Sequence, residues 1–338
     1  MGKVRQYIYK HFSLIFFSVF IPLFFIASII FLVKIAAVTA LVQLSVYDMW
    51  QMYLFILPEL LFYTLPIAYF IGATMTFAKL SFDYEMVVLF ALGVAPSRII
   101  KIMLSGSLIL SFLLLYISLV LIPHTTQMYK NFLKVKKSQA NFNIKPSEFG
   151  QKFGDWHIYI GAQDEENQKY SDIALFNQNR NSENLILASR AQIVNNDGVL
   201  QFQLYNGRVH LYKNREFSVV NFDTMNINDT ATMNAKPYVS PIDYWLQSDS
   251  KRPTKFSTNV LISLFPPLSI LIVLSIGIIH TRNSKNPTYL YMFIAVALFY
   301  ALSFTLAKKF GITSIAIVTG VWLLSSALIY RKKIVPIY

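Results

Sequence analysis

The hydrophobic and polar positions divide the chain into two apolar end regions and a polar central stretch, residues 124–258. In the end regions, six runs are long and apolar enough to predict membrane-spanning helices. These runs cover residues 12–33, 52–78, 99–123, 259–279, 288–306 and 312–330. The sequence therefore predicts an α-helical membrane protein, with three transmembrane helices in region 1–123 and three in region 259–338.

The central stretch begins with a basic, helical stem and then alternates between apolar and polar residues, which is typical of β-strands with one buried face. The predicted strands are Trp156–Ile160, Ser171–Phe176, Leu185–Ile193, Val199–Tyr205, Arg208–Tyr212 and Glu216–Phe222. Asn196–Gly198 and Asn206–Gly207 predict tight turns between strands. This pattern indicates an inserted antiparallel β domain, either a small sandwich or a jelly-roll-like sheet.

The distribution of lysine and arginine predicts how the helices are oriented. With the N-terminus inside, the inner connections hold eleven basic residues and the short outer connections hold three. Because basic residues concentrate on the cytoplasmic side, both termini are expected inside, and the domain at 124–258 outside.

Composition excludes several classes of function. The chain is 55% hydrophobic, and its net charge of +13 lies mostly on the membrane part, because region 124–258 holds sixteen basic and thirteen acidic residues. The charge is therefore a topology signal, and a nucleic-acid partner is not expected. There is no cysteine, no phosphate-binding glycine loop and no histidine cluster with metal-ligand spacing. We expect no cofactor, no metal and no enzymatic activity.

A polar connecting segment, Lys79–Arg98, separates the second and third predicted spans. Asp83 and Glu85 favour the start of a helix, and Gly93 and Pro96 favour its end. A short helix is therefore expected over about 82–92. It is either a plain interfacial helix that reverses the chain or a surface that a partner binds.

Glu59 is an ionisable residue inside an apolar span, where it follows Pro58. Such residues usually face protein or a wet cavity, so Glu59 is a candidate gate or helix-contact position. The alternative is a carboxylate that reaches the outer headgroups. Pro22, Pro66 and the pair Pro266–Pro267 are expected to kink their spans.

Several of these pieces together resemble the LptF/LptG permeases of the lipopolysaccharide exporter. They are Pro58-Glu-Leu-Leu61, Leu65-Pro66, Asp83-Tyr-Glu-Met-Val-Val-Leu-Phe-Ala-Leu-Gly93, Ala188-Ser-Arg-Ala191 and Tyr205-Asn-Gly207. The layout of three plus three spans around an outer β domain is similar as well. The Pro-Glu-Leu-Leu and Asp-x-Glu-Met motifs resemble the LptF branch more closely.

The resemblance implies an inner-membrane ABC transporter permease without its own nucleotide site. Its implied partners are a paralogous six-span permease, a cytoplasmic ATPase dimer, a single-span periplasmic bridge protein and lipopolysaccharide. The helix at 82–92 would be the coupling helix, with Glu85 as the acidic position that meets a basic residue of the ATPase. The expected coupling residues are Asp83, Glu85, Met86, Leu89, Gly93 and Arg98.

The resemblance also implies a route for the lipid. Lys34, Lys308 and Lys309 lie at outer ends of spans, where the positive-inside rule disfavours them, so we expect them to meet lipid phosphates; the alternative is snorkelling to any anionic headgroup. Acyl chains would follow the inner face of the sheet. The candidates for that face are Ile158, Ile160, Leu187, Phe202, Leu204 and Val219. The alternative is that they are ordinary core residues.

Two other classes of function remain open on the residues alone. Another ABC exporter of the envelope, with a lipoprotein or peptide as cargo, would have the same layout. A membrane-anchored β domain that only binds other proteins is the second.

Overall fold

The structure is a computed structural model, and contacts divide it into two compact units. The membrane unit comprises Met1–Ile35, Trp50–Thr126 and Val239–Tyr338, and the sheet unit comprises Ala36–Met49 and Gln127–Tyr238. The structure describes residues 2–39, 44–141, 151–153, 156–164, 169–179, 182–196, 199–213, 216–228, 239–246, 251–279, 287–334 and 336.

The helices follow the predicted spans closely but are longer. They are α1 (Gly2–Thr39), α2 (Val46–Phe82), α3 (Glu85–Ala91), α4 (Pro96–Tyr116), α5 (Ile122–Asn141), α6 (Pro241–Leu246), α7 (Arg252–Leu268), α8 (Ile270–Gly277), α9 (Thr288–Phe310) and α10 (Ser314–Lys333). A π-helical turn, Ile117–Leu121, joins α4 to α5.

Among the described residues, four helical runs are long and apolar enough to cross a membrane, and the bent pair α7–α8 makes a fifth. One of the four runs, Thr288–Lys333, contains both α9 and α10, which Gly311 separates with a backbone φ of 56°. Once this run is divided there, helices occupy all six predicted segments.

A close contact in the membrane unit joins α2 and α8. A β-carbon added to Gly277 would lie 2.7 Å from Phe77 Cβ and 2.8 Å from the Thr74 carbonyl oxygen. The Ser81 hydroxyl lies 3.3 Å from the Gly277 carbonyl and accepts the backbone N–H of Ile279 at 3.3 Å. Small residues thus let two helix backbones approach closely, as is common in membrane bundles.

The pair Pro266–Pro267 ends α7 in a sharp bend, as predicted. The helix axis turns by 46° between α7 and α8. The indole N–H of Trp322 on α10 donates to the Ser269 hydroxyl at the break, at 3.1 Å. By contrast, α2 continues as one helix through Pro58 and Pro66.

The π-helical turn leaves backbone carbonyls that side chains satisfy. Trp245 on α6 donates its indole N–H to the Leu119 carbonyl at 2.8 Å, and Asn259 on α7 donates to the Ser118 carbonyl at 3.4 Å. Extra carbonyls of this kind are a property of π-bulges, where the helix pairing shifts by one residue.

Among the described residues of the sheet unit, six antiparallel strands pair in chain order as a meander. They are β1 (Gln151–Phe153), β2 (Trp156–Asp164), β3 (Lys169–Asn179), β4 (Ser182–Asn196), β5 (Val199–Lys213) and β6 (Glu216–Asn228). Asn196 pairs with Val199, and the rest of the turn predicted at Asn196–Gly198 lies outside the described residues.

The hairpin predicted at Asn206–Gly207 is wrong, since both residues lie inside the continuous strand β5. One row of residues that crosses neighbouring strands is left out of the backbone pairing. This row consists of Gly161, Asp172, Ser189, Asn206 and Asp223. Asp172 and Asn206 have positive φ angles of 54° and 50°. Asp172 and Asn206 therefore supply a kink within long strands, because Asp and Asn tolerate the left-handed conformation.

The start of α2 belongs to the sheet unit and is held by an ion pair. Asp48 forms an ion pair with Lys136 on α5, with 3.0 Å between Oδ1 and Nζ. Asp48 also caps α2 together with Ser45: the Ser45 N–H donates to Oδ2 at 3.0 Å, and the Asp48 N–H donates to the Ser45 hydroxyl at 3.2 Å. This reciprocal pairing is a capping box.

Candidate functional site

The connecting segment Lys79–Arg98 folds into a short helix between two sharp turns. α2 extends to Phe82, so the helix α3 begins only at Glu85 and is shorter than the predicted 82–92. Tyr84 has a φ of 60° and Gly93 a φ of 82°, which reverses the chain before and after α3. Asp83 therefore lies in the turn between α2 and α3 and not in a helix.

One side of α3 is anchored in the membrane unit. Met86 is 1% exposed, and Leu89 and Phe90 pack partly buried against the same hydrophobic core. The chain after α3 is tied back by the Val94 N–H, which donates to the Leu89 carbonyl at 3.0 Å. This seven-residue helix is therefore held by packing, since a helix of this length is not stable by itself.

The other side of α3 and its flanking turns expose apolar side chains. The exposed residues are Phe82 (53%), Tyr84 (61%), Val87 (46%), Val88 (56%) and Leu92 (76%). Asp83 and Arg98 are exposed as well. We call this surface the α3 patch. Contiguous exposed apolar side chains with charges at the rim are typical of an interaction surface.

Glu85 is held by a residue from a different helix. The hydroxyl of Tyr7 on α1 donates a hydrogen bond to Glu85 Oε2, and both side chains are partly exposed. Tyr9, two residues further on, instead donates to the Ile102 carbonyl on α4 at 2.6 Å. Sequence reasoning missed Tyr7, because a pairing across 78 positions leaves no local pattern.

The three lysines that are predicted to meet lipid phosphates are exposed. Lys34 follows the apolar part of α1, with its ammonium 4.7 Å from the centre of the Phe31 ring. Lys308 and Lys309 occupy the last turn of α9, where basic residues favour the helix dipole. Lys309 lies 5.3 Å from the Phe310 ring centre. Long exposed lysine side chains of this kind can extend to an anionic headgroup.

Glu59 is half-buried on α2, with the buried Pro58 before it and the buried Pro66 two turns after it. Thr64 is buried on the same helix and donates its hydroxyl to the Leu60 carbonyl at 2.8 Å. Ser and Thr side chains within helices commonly bond back to the i−4 carbonyl in this way.

Four of the six residues predicted on the inner face of the sheet do lie in its core. Ile158, Ile160, Phe202 and Leu204 are at most 2% exposed and belong to one hydrophobic cluster. The cluster also contains Tyr170, Ile173, Leu175, Ile186 and Ala188.

The assignment of Leu187 and Val219 to that inner face is wrong. Leu187 is 41% exposed between the buried Ile186 and Ala188, and Val219 is 48% exposed on β6. Alternate residues of a strand face opposite sides. Both errors come from runs of consecutive apolar residues, in which alternation does not indicate the buried face.

The opposite side of the sheet carries a cavity of 710 Å³ along the kinked row, lined in part by Asp172, Ser189, Asn206 and Asp223. Its lining also includes Tyr159, Leu187 and Phe222, so it is part polar and part apolar. Among the residues that the structure describes, no three His, Asp or Glu side chains are grouped to hold a metal ion.

Comparison with known proteins agrees with this arrangement. A family model described as the lipopolysaccharide export system permease LptF/LptG matches residues 6–330. It covers both branches and does not separate LptF from LptG. A comparison with curated proteins finds no match. The match covers nearly all of the 338 residues, including the membrane helices, α3 and the inserted sheet. The chain therefore belongs to the LptF/LptG family of lipopolysaccharide export permeases.

Proposed function

We propose that this chain is one of two paralogous permease subunits of an ABC transporter that extracts lipopolysaccharide from the bacterial inner membrane. A separate cytoplasmic ATPase dimer supplies the energy, and a single-span bridge protein receives the lipid in the periplasm. Family membership supports the cargo. The excess of basic residues in the inner connections, eleven against three, supports cytoplasmic termini and a periplasmic sheet.

An external energy source is required on physical grounds. Each methylene moved from the bilayer into water costs about 0.8 kcal/mol, so a lipid with several acyl chains does not leave spontaneously. The chain has no phosphate-binding loop of the G-x-x-x-x-G-K-[ST] type. The energy must therefore reach it through a surface that binds a partner.

The observation that carries this proposal is the α3 patch. Its apolar side chains are exposed although α3 itself is anchored by Met86, so the patch suits a groove on the ATPase. Glu85 supplies a negative charge beside the patch for a basic residue of that groove. Met86 and Leu89 act as anchors, Gly93 permits the reversal, and Asp83 and Arg98 contribute charges at the rim.

The bond between Tyr7 and Glu85 suggests how motion passes to the lipid. α1 is one continuous helix, and the 27 residues from Tyr7 to Lys34 span about 40 Å at 1.5 Å per residue. A displacement of α3 is therefore transmitted along α1 to Lys34. Lys34, with Lys308 and Lys309, holds lipid phosphates before extraction.

Two further elements complete the proposed route. Glu59 on α2 is a helix-contact position at a lateral gate, where Pro58 and Pro66 let the helix deform. In the sheet unit, acyl chains pass along the face formed by Ile158, Ile160, Phe202 and Leu204. These side chains are buried, so the sheet has to open before a lipid reaches them.

Co-purification from native membranes tests the proposal, with Glu85→Arg as the variant. We expect an ATPase and a second six-span protein to accompany the wild type, and the ATPase to be lost from Glu85→Arg. Glu216→Arg is the matched control, because Glu216 is exposed on β6 of the sheet. An ATPase that never accompanies the wild type, or that stays with Glu85→Arg, would refute the coupling role.

A further inference from the structure

A second surface of the membrane unit, distinct from the α3 patch, is an apolar groove of 540 Å³ between α8, α9 and α10. Its walls include Ala295, Leu298 and Leu302 on α9, and Val321, Ser325 and Ile329 on α10. On α10 these residues recur every fourth position, so they form one continuous stripe. The next position of that stripe is Lys333, which also lines the groove.

The length of the groove corresponds to one leaflet of a bilayer. From Val321 to Lys333 the helix rises about 18 Å, and from Tyr291 to Leu302 about 17 Å, at 1.5 Å per residue. Half of a typical hydrocarbon core is about 15 Å thick. A transmembrane helix of a partner would need about twice this length, whereas a single acyl chain matches it.

The charged side chain that lines the groove lies at one end. Lys333, which is half-buried, and Tyr291 both line it, and both lie at the open end of the hairpin, in the last turn of α10 and the first turn of α9. Tyrosine and lysine are typical of the membrane interface. The groove floor includes Ser275, but its hydroxyl is already bonded to the Leu271 carbonyl at 2.6 Å. A cation at one end of an apolar channel suits an amphiphile with an anionic head.

We propose that this groove binds an acyl chain of an anionic phospholipid, with the Lys333 ammonium on its phosphate. On the predicted orientation, the Lys333 end lies at the cytoplasmic side, so the lipid belongs to the inner leaflet. The bound lipid fills the gap between α8 and the α9–α10 hairpin. This site is separate from the proposed cargo route, which begins at the outer leaflet.

Photolabelling in nanodiscs tests the assignment. The full chain, with the subunits that co-purify, is placed in phosphatidylcholine discs that contain phosphatidylglycerol with a photoreactive acyl chain. We expect labelled peptides from α9 and α10, between 291–302 and 321–333. Lys333→Glu should lower this labelling about fivefold, the effect of one basic residue at an anionic surface. Lys332→Glu is the control, because Lys332 is exposed and does not line the groove.

A second pair of variants tests the groove independently of charge. Ser325→Phe fills the channel and should reduce labelling, whereas Leu324→Phe, on an exposed neighbour outside the groove, should leave it unchanged. Thermal unfolding of each variant checks that it folds. If Lys333→Glu does not fold, the second pair of variants decides the outcome.

Three results would overturn the proposal. They are equal labelling by phosphatidylcholine and phosphatidylglycerol probes, full labelling of both Lys333→Glu and Ser325→Phe, and labelling of the groove by a lipopolysaccharide probe in preference to the phospholipid. The assay requires neither ATP turnover nor lipid export. Its failure would therefore leave the proposed transport function untouched. A failure of the transport proposal would likewise leave the proposed lipid site untouched.

Discussion

Removal of the Tyr7 hydroxyl should weaken the binding of the ATPase although Tyr7 itself lies on another helix. In Tyr7→Phe, Glu85 loses the donor that orients its carboxylate. Hydrogen bonds to charged groups contribute about 1.5–3 kcal/mol. Both side chains are partly exposed, and water replaces part of the bond, so about 1 kcal/mol is a reasonable expectation here.

That loss corresponds to a roughly fivefold rise in the Kd of the ATPase for the permease. The cost of ordering a freed glutamate on binding, about 0.5–1.5 kcal/mol for a side chain of this kind, is of the same size. The Kd is measured by titration of purified ATPase onto permease in nanodiscs. Tyr9→Phe is the matched control, since Tyr9 lies one half-turn away and bonds to α4 instead.

A double-mutant cycle separates this mechanism from a general destabilisation of α1. If Tyr7 acts through Glu85, Tyr7→Phe should have little further effect in a Glu85→Gln background. Additive effects of the two substitutions would refute the reasoning, as would equal losses in Tyr7→Phe and Tyr9→Phe.

Three further outcomes are expected. Gly277→Val should destabilise the membrane unit by about 1–3 kcal/mol, because its β-carbon would overlap α2. Gly320→Val should not destabilise it, because no atom lies within 4 Å of the added carbon. Thermal unfolding measures both variants. Phe202→Ala should cost about 3–5 kcal/mol as a fully buried aromatic, while Leu187→Ala on the exposed face should change stability by less than about 0.5 kcal/mol; equal costs would contradict the assigned faces. Lys34→Glu should lower lipopolysaccharide-stimulated ATP turnover and cross-linking to the lipid, and unchanged values for both would exclude Lys34 as a phosphate contact.

Local patterns predicted most of the fold. Six apolar segments, the short helix after the second span and the reversal between β4 and β5 are visible because their signals depend on neighbouring residues: hydropathy over about 20 positions, acids before a helix and Asn-Asp-Gly between strands. The bend at Pro266–Pro267 is of the same kind, since proline removes a donor and crowds the preceding turn.

The errors arose where a local pattern permits two structures. Asn206–Gly207 favours either a hairpin or a kink, and only the pairing of β5 with long strands on both sides selects the kink. Leu187 and Val219 lie in continuous apolar runs, which do not reveal the buried face. The helix α3 begins later than predicted, because α2 continues to Phe82 before the chain turns.

By itself, then, the sequence determined which segments are apolar enough for a membrane, where polar connections interrupt them and where a β domain is inserted. These properties depend on solvation and local backbone preference, which each segment carries with it. Only the tertiary structure decided that Tyr7 bonds to Glu85, that Gly277 packs on α2, and that Lys333 closes an apolar groove. Such contacts join positions far apart in the chain, and packing of the whole bundle selects them.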